Sequence, residues 1–154
     1  MNDFAPQIID LFRAIHPLDR IPRAGYLLRG VPEPESVSAH SHFMSLLALL
    51  FLERFPGRWE AEKVLAMALV HDVPEARLMD IAMPYADAYL REAKAHAEQA
   101  IADHLFEPLA PRLAQLHAEF AAAQTEEAKL LRGLDKAQMM LKILCYEKEK
   151  RGNL

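Results

Sequence analysis

Residues 69–80, LVHDVPEARLMD, place three carboxylates and an imidazole directly after an apolar run. Leu69 and Val70 continue the periodic pattern of a helix that packs against a core, and His71 and Asp72 follow them at once. Charged groups buried beside such a helix lower the stability of a protein unless a partner of opposite charge compensates them. The segment therefore predicts a site at which several polar groups share a partner.

The composition indicates one globular domain with a hydrophobic core. Of 154 residues, 52% are hydrophobic and 26% are charged, and helix formers outnumber strand formers. The net charge of −4 at pH 7, without a lysine- or arginine-rich run, makes nucleic acid an unexpected partner. No apolar run approaches the ~20 residues of a membrane span, so we expect no membrane partner. The single cysteine, Cys145, excludes an intrachain disulfide and predicts a cytoplasmic protein in which this thiol is buried and inert.

Apolar periodicity predicts an all-α protein of about six helices in a single domain over residues 1–154. No stretch alternates with the period of two that is typical of a strand. Ser36 or Ser38, and Thr125, stand where helix N-caps are expected. The predicted helices cover residues 6–15, 37–54, 59–72, 85–107, 111–123 and 125–150, with a proline-rich surface loop over 16–36, an end or a new short turn at Pro74, and a loop around Pro84.

Two of these helices are assigned an inward face from their apolar residues. Hydrophobic residues three or four positions apart share one face of a helix, which is the basis of both assignments. The expected inward residues are Phe43, Leu46, Leu47 and Leu50 on the first helix, and Val64, Leu65, Ala68 and Leu69 on the second.

Two further polar residues lie inside apolar helical patterns. His40 follows the start of the helix over 37–54, and Asp135 lies in the middle of LLRGLDKAQMMLKIL, residues 130–144. A divalent cation would satisfy both together with His71 and Asp72, because two neutral imidazoles and two carboxylates supply four ligands and cancel its charge. Spacing alone leaves a set of separate polar contacts as the alternative.

The order of His40, the pair His71-Asp72 and Asp135 resembles the HD-domain superfamily of metal-dependent phosphohydrolases. Within it, the chain is similar to the small HD-domain 5′-nucleotidases, which act on nucleoside monophosphates and especially on deoxy forms. The resemblance implies an all-helical HD-type bundle whose metal site is built from the helices near 37–54, 59–72 and 125–150. The blocks that carry it are RIPRAGYLLRGVPEPESVSAHS (20–41), ALVHDVPEARLMDIA (68–82) and LLRGLDKAQMMLKI (130–143).

The resemblance implies a role for each polar residue of these blocks. One divalent metal ion would be held by His40, His71, Asp72 and Asp135. The residue types leave the identity of this ion open among Mn, Co, Fe, Ni, Zn and Mg. Glu75 would position or deprotonate the water, or manage the proton of the leaving group. Asp80 would act at the sugar or the leaving oxygen, as a catalytic and substrate-binding residue. Arg23 would clamp the phosphate of a nucleoside monophosphate, for which its planar fork is suited.

Other polar residues are expected to be structural or solvated. His42 follows His40 by two positions and so points away from it on a helix. His96 and His104 share one helix and leave open a second metal, although a solvated face is the simpler interpretation. Lys136 either reaches phosphate or extends to water. Arg29 is the competitor of the clamp arginine and is expected to be auxiliary.

Two positions bear on the choice of sugar. Some bacterial relatives carry a tryptophan directly after the clamp arginine, where this chain has Ala24. Relatives of the eukaryotic type carry an aromatic residue three positions after that arginine, where this chain has Tyr26. The preference between ribose and deoxyribose, and the preference for a base, are therefore left open.

Two other functions remain as alternatives. One is another HD phosphohydrolase, a phosphodiesterase or a triphosphohydrolase, although larger members of those groups usually carry extra histidines or added segments. The other is a non-catalytic HD-like module that binds nucleotides. Family resemblance and the abundance of apolar helix surface also predict a homodimer, with a roughly 1,200–2,000 Å² interface if it is of standard size.

Overall fold

The computed structural model describes residues 4–154, and for residues 84, 86 and 87 it describes the backbone alone. Six helices of ten or more residues dominate this part of the chain, which confirms the all-α prediction. A 3₁₀ turn over His16–Asp19 and a π-helical segment over Ala86–Leu90 complete the helical structure. The α-helices are α1 (Phe4–Ile15), α2 (Ala24–Leu27), α3 (Val37–Arg54), α4 (Ala61–Val70), α5 (Glu75–Leu78), α6 (Met83–Tyr85), α7 (Arg91–Phe106), α8 (Pro111–Ala122) and α9 (Glu126–Lys148).

The bundle is centred on α3 and α4, which pack against each other and against α9, while α8 joins α4 to α7. Within residues 4–154 no strand forms, and one isolated antiparallel bridge joins Pro22 to Ser36. That bridge ties the segment before α2 to the start of α3. Among the described helices, none is long and apolar enough to span a membrane.

Two predicted N-caps are confirmed. The hydroxyl of Ser36 accepts a hydrogen bond from the backbone N–H of Ala39 at 3.2 Å and begins α3. Thr125 Oγ1 accepts one from the N–H of Ala128 at 3.3 Å and begins α9. Each side chain satisfies a donor that has no partner inside its helix, which is why the starts of these helices are legible in the sequence.

The buried face of α3 is not the predicted one. Its buried residues follow the i, i+4 row of His40, namely Met44, Ala48 and Leu52. Phe43, Leu46 and Leu50 are exposed, and only Leu47 packs partly against the core. The prediction of the inward face was wrong because α3 is apolar on nearly every side, so spacing could not choose between its faces.

The end of α4 places His71 and Asp72 inside the bundle. Val64 and Ala68 are buried and Leu65 packs partly against the core, whereas Leu69 is exposed, so its inward placement was wrong. His71 follows the last helical residue, and Pro74 precedes α5. Of the two predicted roles for Pro74, the structure therefore shows the start of a new short turn.

The segment over 16–36 was predicted as a surface loop, and this is wrong in part. It contains a 3₁₀ turn and α2, and it buries Ile21, Tyr26, Val31 and Glu35. Tyr26 and Tyr146 of α9 meet edge to face, with ring centroids 5.2 Å apart. The prolines do break the helical pattern, but the side chains between them pack against α9.

Two predictions about the second half of the chain also need correction. The backbone over Met83–Tyr85 is helical where a loop was expected, and the long helix over 85–107 begins only at Arg91. The π-helical segment before Arg91 changes the number of residues per turn, which no residue type signals. Cys145 is exposed and not buried, since it lies on the outer face of α9 near Leu141 and Leu144.

Candidate active site

Four polar side chains meet where α3, α4 and α9 pack together. Ligand atoms of His40, His71 and Asp72 all lie within 4.8 Å of one another. His71 Nε2 is 3.1 Å from Asp72 Oδ2, and His40 Nε2 is 3.6 Å from the same oxygen. From α9, Asp135 Oδ1 lies 3.2 Å from His40 Nε2. The structure thus groups three of the four residues suggested as metal ligands, and the fourth, Asp135, adjoins this group through His40.

Three local features aim these side chains at one point. His40 lies one turn inside α3 on its buried face, where it is fully shielded from solvent. His71 and Asp72 occupy the turn that follows α4, where Asp72 Oδ2 lies within 3.6 Å of the Nε2 atoms of both imidazoles. Asp135 comes from the middle of α9 and keeps a 26% exposed side chain, which leaves the site open on that side.

The Nδ1 atom of each imidazole has a hydrogen-bond partner outside the group, and the Nε2 atoms face the carboxylates. His71 Nδ1 donates to the carbonyl of Ala68 at 2.8 Å, and His40 Nδ1 lies 2.7 Å from Gln138 Oε1. His40 Nε2 and His71 Nε2 are buried without a hydrogen-bond partner, although each faces a carboxylate oxygen. Acceptors that converge on one point while buried fit a cation between them. The donor set of two imidazoles and two carboxylates therefore suits a divalent metal ion.

Charge coupling within the protein supports the same grouping. Burial works against the charged forms, yet His71, Arg23 and His40 together hold the pKa of Asp72 well below its usual range. Burial likewise opposes the protonated form of His71, but Asp72 raises its pKa above the ordinary value. Against burial, the contact with His40 lowers the pKa of Asp135. The two carboxylates thus favour positive charge beside them, and a bound divalent cation would supply it.

Arg23 lies at the rim of this group. Its Nη1 atom is 3.3 Å from Asp72 Oδ2, 3.6 Å from Asp80 Oδ1 and 4.0 Å from Glu75 Oε2. Burial opposes its charge, but Asp72, Asp80 and Glu75 raise the pKa of the guanidinium above its usual value. The guanidinium is therefore a permanent cation beside the carboxylates, and Arg29, its competitor in the sequence, is exposed.

Glu75 begins α5 and is only 3% exposed. Burial raises the pKa of its carboxyl to about 10, and the charges of Asp72 and Asp80 act in the same direction. Arg23 and Lys94 oppose the shift, and the Oε2 atom has no hydrogen-bond partner. A buried carboxyl next to His71 and Asp72, able to carry a proton at neutral pH, has the properties of an acid–base group.

Asp80 holds the loop that carries Arg23. Its Oδ2 atom accepts a hydrogen bond from the N–H of Ala24 at 2.6 Å, at the start of α2. Met79, directly before it, has a φ of 69°, in the left-handed region that costs a residue with a side chain about 1–3 kcal/mol. The chain therefore turns sharply after α5, and this turn places Asp80 next to Arg23.

Sequence reasoning missed several residues near the site. Lys94 of α7 is a second cation, with its Nζ atom 3.8 Å from Glu75 Oε1. His117 of α8 is buried, and its Nδ1 atom lies 3.0 Å from Gln99 Oε1. Burial lowers the pKa of His117 to about 4. The charge of Asp72 opposes this shift, and the charge of His71 adds to it. The apolar neighbours of His117 were the one signal that could have indicated its burial.

The remaining candidates lie outside this group. His42, His96, His104, Arg29 and Lys136 are exposed. Within the described residues, no second cluster of potential metal ligands forms around His96 or His104. Tyr26 is buried, donates from its hydroxyl to the carbonyl of Met139 at 3.2 Å and packs on Tyr146. Its role in the structure is thus to hold α2 against α9.

The chain is similar to proteins of known family along nearly its whole length. The family model described as "HD domain" matches residues 15–154. The 5′-deoxynucleotidase HDDC2 of Xenopus laevis is 35% identical over 149 residues, which cover 94% of this chain and 72% of that protein. The mouse protein of the same name is 33% identical over 144 residues, 91% of this chain and 70% of the relative. A conserved hypothetical protein of Pyrococcus furiosus has a TM-score of 0.82 and 34% identity, over 94% of this chain and 82% of that chain. This chain therefore belongs to the HD domain family.

Proposed function

We propose that this protein is a metal-dependent phosphohydrolase that removes the 5′-phosphate from nucleoside and deoxynucleoside 5′-monophosphates. The observation that carries the proposal is the pair of buried, unpartnered nitrogens, His40 Nε2 and His71 Nε2, facing Asp72 and Asp135. The names of the similar proteins, 5′-deoxynucleotidases, support this choice of reaction and favour deoxy forms as substrates.

One divalent ion would be held by His40, His71, Asp72 and Asp135. When bound, it supplies the Lewis acidity that activates water and polarises a phosphoryl group. The residue set suits Mn²⁺, Co²⁺, Fe²⁺, Ni²⁺ or Zn²⁺, and Mg²⁺ if water completes its shell. The native ion can be identified by elemental analysis of protein purified without added metal.

Two cations flank Glu75 and suit the charge of a phosphate monoester. Arg23 approaches from the loop before α2, and Lys94 approaches from α7. The arginine can present two parallel N–H donors to the phosphate oxygens, so we assign it the phosphate. Since it is paired with carboxylates in the free site, substrate would compete for it, and this favours a dianionic ligand over a neutral one.

Glu75 is assigned the proton transfer of the reaction. Its carboxyl lies in the turn directly after Asp72, beside the ligands, and its pKa is raised to about 10 by burial and by its acidic neighbours. A protonated carboxyl can donate to the departing sugar oxygen, and the carboxylate left behind can accept a proton from water. Asp80 lies on the same side through its contacts with Ala24 and Arg23, which supports a place next to the sugar.

The test is phosphate release from 5′-dAMP, 5′-AMP, 3′-AMP, dATP and a cyclic dinucleotide, with Mn²⁺ or Co²⁺ present. We expect release from the two 5′-monophosphates and poor release from 3′-AMP. The Glu75→Gln protein serves as the matched control for a contaminating phosphatase. Hydrolysis confined to dATP or to the cyclic dinucleotide would replace this function with another HD phosphohydrolase activity. Metal binding without any hydrolysis would favour a nucleotide-binding module.

We also propose that the protein is a homodimer, formed through the apolar outer faces of α3 and α9. Leu50 is 56% exposed, Met140 63% and Leu144 59%. Phe43, Leu46 and Leu141 line a shallow groove between the two helices. Exposed apolar patches of this kind mark interaction surfaces in soluble proteins. Light scattering of the protein and of a Leu50→Glu, Leu144→Glu variant tests this, and a wild-type monomer would exclude the dimer.

A cytoplasmic location completes the proposal. It is supported by the exposed, unpaired thiol of Cys145, which persists in reducing compartments, and by the intracellular occurrence of nucleoside monophosphates. Cell fractionation with an antibody against the protein is the measurement, and recovery from a secreted fraction would contradict it.

A further inference from the structure

A buried chain of hydrogen bonds lies behind His40, on the side away from Asp72 and Asp135. Gln138 Oε1 is 2.7 Å from His40 Nδ1, and Gln138 Nε2 is 3.1 and 3.0 Å from the two carboxylate oxygens of Glu35. Lys142 Nζ lies 3.4 Å from Glu35 Oε2. His40 is 0% exposed, Gln138 4% and Glu35 8%, so water does not offer these groups other partners.

The donor and acceptor roles along this chain are forced by chemistry. The carboxylate of Glu35, paired with Lys142, can only accept hydrogen bonds, so Gln138 must turn its NH₂ group toward it. The carbonyl oxygen of Gln138 is then left for His40, and an oxygen can only accept. His40 Nδ1 must therefore carry a hydrogen, and in the neutral ring Nε2 keeps its lone pair.

The opposite arrangement would disable the ring as a ligand. If the Gln138 amide were reversed, its NH₂ group would face His40 Nδ1 and the hydrogen of the neutral ring would move to Nε2. A protonated Nε2 cannot coordinate a cation. That reversal would also press two acceptor oxygens together in a buried place, because Glu35 has no hydrogen to offer Gln138.

His71 reaches the same state by a simpler route. Its Nδ1 atom donates to the carbonyl of Ala68, a backbone acceptor that no side-chain change can alter. His40 Nδ1 has no such backbone partner, and its protonation depends on Gln138 and Glu35, which lie 103 residues apart in the chain.

We propose that Glu35 is a positioning residue that, through Gln138, fixes His40 in the tautomer whose Nε2 lone pair faces the metal site. This rests on the proposed metal site, and it assigns that site two residues from outside its ligand set. Glu35 also touches the phosphate side, since its backbone carbonyl accepts from the N–H of Arg23 at 3.0 Å. One residue thereby links the ligand His40 to the loop of Arg23.

The test exchanges the two side chains step by step. In Glu35→Gln the new amide can donate or accept, so the amide of Gln138 is free to reverse, and both tautomers of His40 become allowed. In the double variant Glu35→Gln, Gln138→Glu the carboxylate stands next to His40 and must accept from Nδ1, so the original tautomer is restored with the same total charge. Glu33→Gln, at an exposed position of the same loop, is the matched control.

Two measurements read the result without phosphatase activity. The first is ¹⁵N NMR of the histidine rings in the metal-free protein, at a pH high enough for neutral imidazoles. The second is Co²⁺ affinity by competition with a chelator. For Glu35→Gln we expect a mixture of His40 tautomers and a 10–100-fold weaker affinity, as is typical when an outer-sphere partner of a ligand is lost. The double variant should return both values to near those of the wild type.

The proposal is overturned if Glu35→Gln keeps a single Nδ1–H tautomer, or if the double variant binds Co²⁺ as weakly as the single one. Should Glu35→Gln fail to fold by urea titration, Gln138→Met removes the same link, and an unchanged tautomer there would also overturn it. A wild-type protein with the expected tautomer but no activity on 5′-nucleotides would count against the proposed function alone.

Discussion

The carboxylate of Asp80 contacts both the backbone and the side chain at the start of α2. One oxygen accepts a hydrogen bond from the N–H of Ala24 at 2.6 Å, and the other lies 3.6 Å from Arg23 Nη1. Fifty-six residues separate Asp80 from Ala24 in the chain. The first contact holds the start of α2, and the second orients the guanidinium, so a single side chain sets both the backbone and the head group of Arg23.

Replacing Asp80 should separate these two contacts. Asp80→Asn keeps a carbonyl oxygen that can accept from the N–H of Ala24 but loses the charge that faces Arg23. We expect Asp80→Asn to raise KM and lower kcat, and Asp80→Ala to do both more strongly because the loop itself is released. Steady-state kinetics with 5′-dAMP is the measurement. Wild-type kinetics in both variants would remove Asp80 from the site.

The proposed clamp role of Arg23 predicts a loss in both kinetic constants. Arg23→Ala should lower kcat/KM by about 10²–10³-fold, since a cation on the phosphate stabilises charge in the transition state as well as in the bound substrate. Arg29→Ala is the matched control, because this arginine lies in the same segment and is exposed. Equal losses in the two variants would show that the loop, and not the Arg23 guanidinium, matters.

The residues of the fold and the site differ in how far their places could be predicted from the sequence. The meeting of His40 with Asp135 was expected from the resemblance to HD-domain proteins, since spacing alone left separate polar contacts open. The long helices and the caps at Ser36 and Thr125 follow from local chemistry, because apolar periodicity and capping side chains signal a helix and its start. The buried face of α3 did not, because Phe43 and Leu46 are as apolar as the residues that are buried.

Residues whose role depends on a distant partner were also beyond prediction. Glu35 lies in a segment rich in proline and glutamate that suggests a solvated loop, and its burial depends on Gln138 and Lys142 of α9. Lys94 reaches Glu75 from a helix that begins after an irregular π-helical segment, so its direction could not be counted from the sequence. Tertiary packing, and not local pattern, places all of these side chains.

Glu75 should be needed for turnover and not for metal binding. Glu75→Gln preserves the shape of the side chain but cannot transfer a proton in either direction, so kcat should fall by about 10²–10⁴-fold. Co²⁺ affinity should remain close to that of the wild type, because Glu75 is not among the four proposed ligands. Phosphate release and chelator competition on the same sample give both values. A parallel loss of metal would place Glu75 among the ligands, and exposed Glu53→Gln is the control.

Asp135 should be needed for metal binding itself. Asp135→Ala removes the only proposed ligand from α9, and the affinity for Co²⁺ should fall by more than the 10–100-fold that is typical of an outer-sphere change. The stabilisation that excess Co²⁺ gives against urea should shrink accordingly, because a ligand stabilises only the state that binds it. Lys136→Ala, next to it and exposed, should leave both values unchanged. Unaltered affinity in Asp135→Ala would exclude Asp135 as a ligand.

His117 predicts how the stability of the metal-free protein responds to acid. Burial lowers its pKa from 6.5 to about 4, so between these values the unfolded chain binds a proton that the folded protein refuses. The contribution of His117 to the free energy of unfolding is therefore fully present above about pH 6.5 and is lost as the pH falls toward 4. At pH 5 this loss is about 2 kcal/mol.

His117→Asn keeps a donor for Gln99 Oε1, which lies 3.0 Å from His117 Nδ1, and it has no proton to gain. Urea unfolding with a chelator at pH 7.5 and 5 should show a smaller loss in this variant than in the wild type, whereas His96→Asn, at an exposed site on α7, should lose as much as the wild type. Identical losses in all three proteins would mean that His117 accepts its proton without unfolding and that its burial does not resist the charge.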